Sequence, residues 1–407
     1  MNRRRFITQS GAAAAAAATI GNGFSAVAGA AAEQTNGRKR ALMKVGASSA
    51  NAYDANSLNA CLRYGVKNIT ASPRIADGRL YATVEELKQF RDLPDKMGVS
   101  IDILTPPNLA SSHIDRERNP GIMLGKSPER DREIEGVQTM IKNCATAGIP
   151  CIKYNMSILG VLRTGSKPGR GDSVYTHFRL ADAKADPPLT KAGRVTEDAY
   201  WERITYFLER VVPVATEYKV RIACHPNDSM TPPEGYQGVN AVLSTPEGLK
   251  KFVQIKESPY HGLNLCIGTL SEMLMDPGKE VFDHIRWFGT RKKIFNIHFR
   301  NIKGNRLEFS EVAPDEGSID FARVMMTFKE VGYDGMVQPD HTVRTTADPP
   351  RGGGAGGPGA PGAGGPEGGR GRGGEGQGGG AGTFNPYTAF VYGYIRALIQ
   401  AADLVNS

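Results

Sequence analysis

Four short apolar segments in the second half of the chain each end in a side chain that can bind a divalent metal ion. These side chains are His225, Cys266, His298 and Asp340. Two imidazoles, one thiolate and one carboxylate suit a transition metal with mixed ligands, and the carboxylate keeps manganese among the alternatives. A closed structural zinc site usually takes its ligands from closely spaced pairs, whereas these four are spread over more than a hundred residues. The spread favours a catalytic metal site.

A second histidine, His341, directly follows Asp340. A carboxylate beside a histidine at the end of a buried strand is costly without a partner, which makes this pair a candidate part of a site. Side chains alternate along a strand, which would turn His341 to the face opposite Asp340. This alternation relaxes at the end of a strand, so we expect the His341 side chain at the rim of the cavity. A structural histidine is the alternative for His341, and a buried core cysteine is the alternative for Cys266.

The elements that must position these side chains form a repeating alternation of apolar strand and amphipathic helix. The four ligand-bearing segments are the last four predicted strands, and the first four cover 42–47, 66–71, 99–104 and 151–155. The predicted helices cover about 55–64, 83–97, 129–147, 197–218, 246–257, 278–288, 321–331 and 387–404.

Eight such units predict a single (β/α)8 TIM barrel, in which the carboxyl ends of all strands share one face. The four ligands would then converge, because they come from neighbouring strands. A doubly wound open sheet is the alternative, although no glycine-rich phosphate loop follows the first strand.

The first 32 residues are typical of a twin-arginine export signal. Arg3 and Arg4 precede a variable residue and the apolar pair Phe6-Ile7, and an alanine-rich stretch follows over about 11–20. That stretch is too short to span a membrane, so we expect no stable membrane anchor after signal cleavage. We expect export by the twin-arginine route to the periplasm, which suits an enzyme that folds and binds its metal first. A disordered basic start with an alanine-rich helix is the alternative.

Composition sets the remaining domain boundaries. Residues 33–40 form a polar linker, 41–349 the barrel, and 384–407 a C-terminal helix that completes the barrel. Between them, 350–383 is almost entirely Gly, Pro and Ala with a few charges, which predicts a disordered insertion in the last β/α loop. The polar stretch 163–195 is too long for an ordinary connection, which indicates a functional loop.

The charge indicates which partners are expected, and the cysteine content indicates how the cysteines are used. The net charge is +8 and the pI is about 9.1, but the basic residues are scattered and form no dense run with aromatics. Nucleic acid is therefore not an expected partner, whereas an anionic small molecule is compatible with the charge. The five cysteines are an odd number without the spacing of a disulfide framework, so at least one is unpaired or a ligand.

With these motifs the chain resembles the mannonate dehydratase family of the xylose isomerase-like barrels. The matching motifs are His225-Pro-Asn-Asp, Leu263-Asn-Leu-Cys-Ile-Gly, His298-Phe-Arg-Asn, Gly332-Tyr-Asp-Gly and Pro339-Asp-His, with weaker matches at 130–135, 147–155 and 163–164. The resemblance implies dehydration of the sugar acid D-mannonate to 2-keto-3-deoxygluconate. It implies one divalent ion, with Mn²⁺ preferred and Fe²⁺, Co²⁺, Mg²⁺ or Zn²⁺ as alternatives, and it implies a homodimer.

The same resemblance implies roles for individual residues. The metal ligands fall on His225, Cys266, His298 and Asp340, and the catalytic histidine falls on His341. The family also has a tyrosine in the last β/α loop that shares the acid–base work, and its nearest counterpart here is Tyr387. Positions near the substrate fall on Asn155, Arg163, Arg300 and Asn301.

Two other functions stay open at this point. A sugar or sugar-acid isomerase or epimerase on the same barrel often uses two metal-binding glutamates, and the strand ends offer no such pair. A non-catalytic exported protein that binds a sugar acid would need the ligands but not His341.

Overall fold

The computed structural model describes residues 40–76, 78–227, 235–340, 343–345 and 386–405, and the folded elements all lie in one compact unit. The predicted export signal, the predicted insertion at 350–383 and His341 lie outside the described residues. Predictions about them, including the boundaries at 32, 349 and 383, stay predictions.

The described residues form thirteen β-strands and ten α-helices. The strands are β1 (Lys44–Ala47), β2 (Asn68–Ala71), β3 (Ser100–Leu104), β4 (Cys151–Asn155), β5 (Gly165–Pro168), β6 (Ser173–Arg179), β7 (Arg221–His225), β8 (His261–Cys266), β9 (Ile294–Phe299), β10 (Asn301–Asn305), β11 (Glu308–Val312), β12 (Met336–Pro339) and β13 (Arg344–Thr345). The helices are α1 (Ala55–Leu62), α2 (Val84–Lys96), α3 (Gly121–Leu124), α4 (Glu129–Ala147), α5 (Glu197–Tyr218), α6 (Pro246–Gln254), α7 (Ile267–Glu272), α8 (Pro277–Thr290), α9 (Phe321–Glu330) and α10 (Pro386–Leu404).

Eight parallel strands close into a barrel in the order β1-β12-β9-β8-β7-β4-β3-β2. The barrel closes because β1 pairs in parallel with both β2 and β12. All residues of β8 and β9 are buried, as expected for parallel strands that are covered on both faces. The predicted TIM barrel is confirmed, and the alternative of an open sheet is wrong.

The helices begin and end where local sequence signals place them. Helix α2 starts with a capping box, in which the Thr83 side chain accepts from the Glu86 backbone and the Glu86 side chain accepts from the Thr83 backbone. Helices α4 and α5 have the predicted bounds.

No helix in the described part of the chain is long and apolar enough to cross a membrane. All five cysteines are described, and each is a buried thiol without a disulfide, as the odd number and spacing indicated.

Apolar and polar side chains of the barrel strands form separate clusters. One apolar cluster is formed by residues of five strands, namely Ile103, Cys151, Ala223, Phe295 and Met336. Near the amino-terminal ends of β1 and β3, Lys44 Nζ lies 3.6 Å from Asp102 Oδ2, and Asn68 of β2 donates to the same carboxylate. A further group of polar side chains lies at the carboxyl ends of the strands.

A second, antiparallel sheet was not predicted from the sequence. Strands β10, β11, β6 and β13 pair in that order, and β5 also pairs with β6. We call this sheet the cap sheet; its strands follow the carboxyl ends of β4, β9 and β12. The functional loop expected at 163–195 contains β5 and β6. Every residue of β5 is exposed, so its strand conformation comes from pairing and not from an apolar pattern.

Candidate metal centre and active site

The four predicted ligands meet at the carboxyl ends of four adjacent barrel strands. His225 and Cys266 are the last residues of β7 and β8, His298 precedes the last residue of β9, and Asp340 follows β12. One ligand atom from each lies within 4.8 Å of the others. The expected convergence is therefore present in the structure.

The distances and donor types fit a divalent transition metal. Ligand atoms bound to one ion at about 2.0–2.3 Å lie no more than about 4.6 Å apart, so small side-chain shifts would suffice. The set offers two imidazoles, one thiol sulfur and one carboxylate, a combination that suits a transition metal better than a hard cation.

Neighbouring protein groups orient both histidines of the set. His225 Nδ1 lies 2.6 Å from the Pro226 carbonyl oxygen, and His298 Nε2 lies 3.2 Å from Asn264 Nδ2. Metal-binding histidines typically donate one ring N–H to a carbonyl or carboxylate and present the other nitrogen to the ion, an arrangement that His225 can adopt. The Asn264 amide nitrogen is a donor, so His298 Nε2 accepts and the proton of the neutral ring lies on Nδ1. His298 Nδ1 is buried and lies 3.3 Å from Asp340 Oδ1. Metal binding at Nδ1 would require the Asn264 amide to present its oxygen to Nε2 instead.

Burial also sets the protonation state of His298. Loss of hydration lowers the pKa of its imidazole to about 3, although the nearby Asp340 carboxylate acts in the opposite direction. The ring is therefore neutral near pH 7, which is the form that binds a metal.

Arg300 contacts two of the four ligands. Its Nε lies 3.0 Å from Asp340 Oδ2, and its Nη2 lies 3.5 Å from Cys266 Sγ. The same Nη2 donates to Thr269 Oγ1 at 2.8 Å. The Cys266 sulfur in turn lies 3.4 Å from Asp340 Oδ2 and accepts the Thr269 backbone N–H at 3.3 Å. A buried guanidinium thus fixes the thiol and the carboxylate relative to each other.

Two glutamates and a second arginine complete a buried ion-pair network around Arg300. Arg300 Nη1 lies 2.7 Å from Glu272 Oε1 and 2.5 Å from Glu311 Oε1. Arg163 Nη2 lies 3.0 Å from Glu272 Oε1 and also contacts Glu311 Oε1. We call Arg163, Glu272, Arg300 and Glu311 the Arg–Glu quartet. Its two positive and two negative charges balance, which is the condition under which charged groups tolerate burial.

The sequence reasoning missed both glutamates of the quartet. Glu311 lies two positions after the buried Phe309 on β11. Because side chains alternate along a strand, the two residues share the inner face of β11. Glu272 ends α7, all of whose residues are buried. A carboxylate within an otherwise buried helix was a usable signal, because such a group needs a cationic partner.

The other residues predicted to bind substrate are also held by protein contacts. Asn155 pairs in register with His225 and donates its side-chain amide to the Ala110 carbonyl at 2.9 Å. Asn301 donates to the carbonyls of Pro314 and Ile319 at 2.8 and 2.9 Å, which fixes the loop after β11. Contact of Asn155, Asn301, Arg163 or Arg300 with a substrate stays a prediction.

Tyr387, the second predicted catalytic residue, lies at the start of α10. Its ring packs against Tyr175, Val312 and Val343 of the cap-sheet region, and its centroid lies 5.7 Å from that of Phe390. Burial raises the pKa of the Tyr387 phenol. The catalytic role of Tyr387 stays a prediction.

Comparisons with known proteins identify relatives of this chain. The D-mannonate dehydratase (UxuA) family matches residues 175–355. The mannonate dehydratase of Shouchella clausii is 30% identical over 293 residues, which are 63% of this chain and 76% of that protein. The mannonate dehydratase of Thermotoga petrophila is 28% identical over 293 residues, which are 63% of this chain and 77% of that protein.

Solved structures share the fold. The crystal structure of mannonate dehydratase from Streptococcus suis serotype 2 superposes with a TM-score of 0.68 at 22% identity, covering 88% of this chain and 95% of the other. A putative sugar phosphate isomerase/epimerase from Anabaena variabilis superposes with a TM-score of 0.52 at 11% identity, covering 88% and 99%. At these identities the likeness concerns the fold alone.

Proposed function

Because the chain belongs to the mannonate dehydratase family, we propose that it dehydrates D-mannonate to 2-keto-3-deoxygluconate with the help of one divalent metal ion. The observation that carries this proposal is the cluster of His225, Cys266, His298 and Asp340 at the mouth of the barrel. The chain is thus a hydro-lyase, and the proposal assigns its substrate and the roles of its residues.

The reaction requires removal of the proton next to the substrate carboxylate and departure of the hydroxyl group on the following carbon. The metal, when bound, supplies Lewis-acid stabilisation of negative charge on substrate oxygens. His341 follows the ligand Asp340 in the chain and is proposed to transfer the proton, a role for which an imidazole is suited near neutral pH. Tyr387, the counterpart of the family's tyrosine in the last β/α loop, is proposed as the group that donates a proton to the leaving hydroxyl.

The Arg–Glu quartet has a positioning role in this proposal. Its guanidinium at Arg300 holds the thiol of Cys266 and the carboxylate of Asp340 in place before the metal arrives. Preorganised ligands lower the cost of binding an ion, and groups that orient ligands typically contribute about 10–100-fold in metal affinity or activity.

Mn²⁺ is the proposed metal. A carboxylate and two imidazoles suit it, and the thiol also permits Fe²⁺, Co²⁺ or Zn²⁺, whereas Mg²⁺ prefers an all-oxygen set. Stripping the purified protein with a chelator and restoring one ion at a time will rank these metals by the activity each restores.

The substrate assay separates this proposal from its alternatives. Metal-loaded protein incubated with D-mannonate is expected to release an α-keto acid lighter by one water molecule, measured by mass spectrometry. The Cys266→Ser variant should lose metal and product together, while Cys144→Ala, which changes a buried thiol on α4, should keep both. A product of unchanged mass would instead favour an isomerase or epimerase, and binding without product a non-catalytic binder.

We further propose that the protein is exported by the twin-arginine route to the periplasm. The support is the Arg3-Arg4 pair followed by Phe6-Ile7 and an alanine-rich stretch. Replacing both arginines with lysine in the full chain should retain the protein in the cytoplasm, which cell fractionation measures. An unchanged distribution between the fractions would contradict the proposal.

A further inference from the structure

A lysine lies inside the barrel close to the proposed metal site. On β4, the Tyr154 ring faces outward and packs on Phe207 of α5, with ring centroids 5.5 Å apart. Asn155 is in register with His225 and lies on the same face of the sheet as that predicted ligand. Because side chains alternate along a strand, Lys153 faces inward together with Asn155. Lys153 therefore lies on the inner face of β4, two residues before Asn155.

The strand register places Lys153 beside the strand that carries His225. Lys153 pairs with Ala223, and His225 is two positions further along the same inward face of β7. The charge of Lys153 also acts on His298, where it contributes to the lowered pKa of that imidazole. Lys153 is partly exposed, and its long side chain is flexible.

The Lys153 ammonium has no hydrogen-bond or ion-pair partner within the described residues. The other charges around the site are balanced. The quartet is neutral, and the Cys266 thiolate and the Asp340 carboxylate would compensate a divalent ion. Among the described residues around the site, Lys153 is thus a positive charge that no carboxylate pairs with. An anionic ligand that enters the mouth would supply the missing countercharge.

We propose that Lys153 binds the carboxylate of the sugar-acid substrate. This inference rests on the proposed function, in that the substrate is an aldonic acid bound beside the metal ligands. A single ammonium is suited to this task, because it offers three donors to a carboxylate without requiring a fixed geometry. The assignment makes Lys153 a specificity residue that favours sugar acids over neutral sugars.

The test compares an acid with its neutral amide. Binding of D-mannonate and of D-mannonamide is measured by calorimetry on the metal-loaded full chain in the His341→Asn background, which is expected to bind the metal without turning the acid over, with Lys153, Lys153→Met or Lys153→Arg. Hydrogen bonds to charged groups predict that Lys153→Met weakens D-mannonate binding by roughly 10- to 100-fold, while amide binding changes only a few-fold. Lys153→Arg should retain most of the affinity for the acid.

Metal content and melting temperature serve as the structural readouts. Both should be unchanged in Lys153→Met, and the control Lys142→Met, at an exposed lysine on α4, should bind D-mannonate as the wild type does. Equal losses for acid and amide, or no loss for the acid, would overturn the inference. If Lys153→Met fails to fold, Lys153→Gln provides the same comparison, because it also removes the charge.

The outcomes also separate this inference from the proposed function. Binding of D-mannonate through Lys153 without release of a keto acid would contradict the dehydratase proposal alone. Normal dehydration with an unchanged dissociation constant in Lys153→Met would contradict the role of Lys153 alone. A wild-type protein that binds no acid from a panel of aldonates and uronates would overturn the role of Lys153 as well.

Discussion

Arg300 offers the sharpest test of how the site is built. Its side chain is 2% exposed and contacts the ligands Cys266 and Asp340 as well as the carboxylates of Glu272 and Glu311. The Arg300→Gln variant keeps a polar side chain of moderate size but removes the positive charge. The quartet then holds two buried carboxylates and only one guanidinium.

The expected loss follows from that imbalance. Removing one partner of a buried ion pair costs about 3–5 kcal/mol, because the other charge stays buried without compensation. For a chain of this length, about 2 °C per kcal/mol converts this loss to a melting temperature lower by roughly 6–10 °C. Metal affinity should also fall by about 10–100-fold, because the thiol and the carboxylate of the site lose the group that orients them.

Thermal scans of metal-free protein and a metal titration measure the two effects separately. The double variant Arg300→Gln/Glu311→Gln restores the charge balance and should recover a large part of the melting temperature. The matched control is Arg286→Gln on α8, which breaks an exposed pair with Glu330 whose atoms lie 3.0 Å apart. Exposed pairs contribute about 0–1 kcal/mol, so this control should melt within about 2 °C of the wild type.

Two patterns of results would contradict the role given to the charge of Arg300. If Arg300→Gln melts like the control and binds metal like the wild type, the buried network does not stabilise the site. If Arg300→Gln lowers the melting temperature but the double variant Arg300→Gln/Glu311→Gln recovers none of it, the loss comes from packing and not from charge.

Three further predictions concern the ligands, the proton-transfer group and the insertion. Cys266→Ser and His298→Ala should each lose metal and activity together, and full metal occupancy in both, measured by elemental analysis, would contradict the ligand assignment. His341→Asn should keep its fold and metal but lose activity by about 10²–10⁴-fold in the dehydration assay, because general acid–base catalysis typically contributes that factor; full activity would exclude the catalytic role. Replacing 350–383 with a short linker should leave the melting temperature nearly unchanged, because this composition cannot bury a core; a loss of many degrees would show that it packs on the barrel.

The sequence alone predicted the barrel and the four side chains that meet at its mouth. Each barrel strand is a short apolar run, and that local pattern predicts a buried parallel strand wherever it occurs. Each ligand stands where its run stops, and the topology of the fold brings all strand ends to one face. The start of helix α2 at Thr83 was likewise predictable from the sequence, because a capping box depends on residues only three positions apart.

The tertiary structure alone decided which groups surround those ligands. Arg163 and Glu311 are 148 positions apart, and neither segment contains a local signal that names the other as its partner. Strand β5 has no buried residue, so only its pairing with β6 makes it part of the cap sheet. Lys153 could be placed on the inner face by alternation, but the lack of a countercharge for it among the described residues became visible only once its neighbours were in place. Local periodicity specifies elements and their faces, whereas charge pairing depends on distances between elements that only the folded chain brings together.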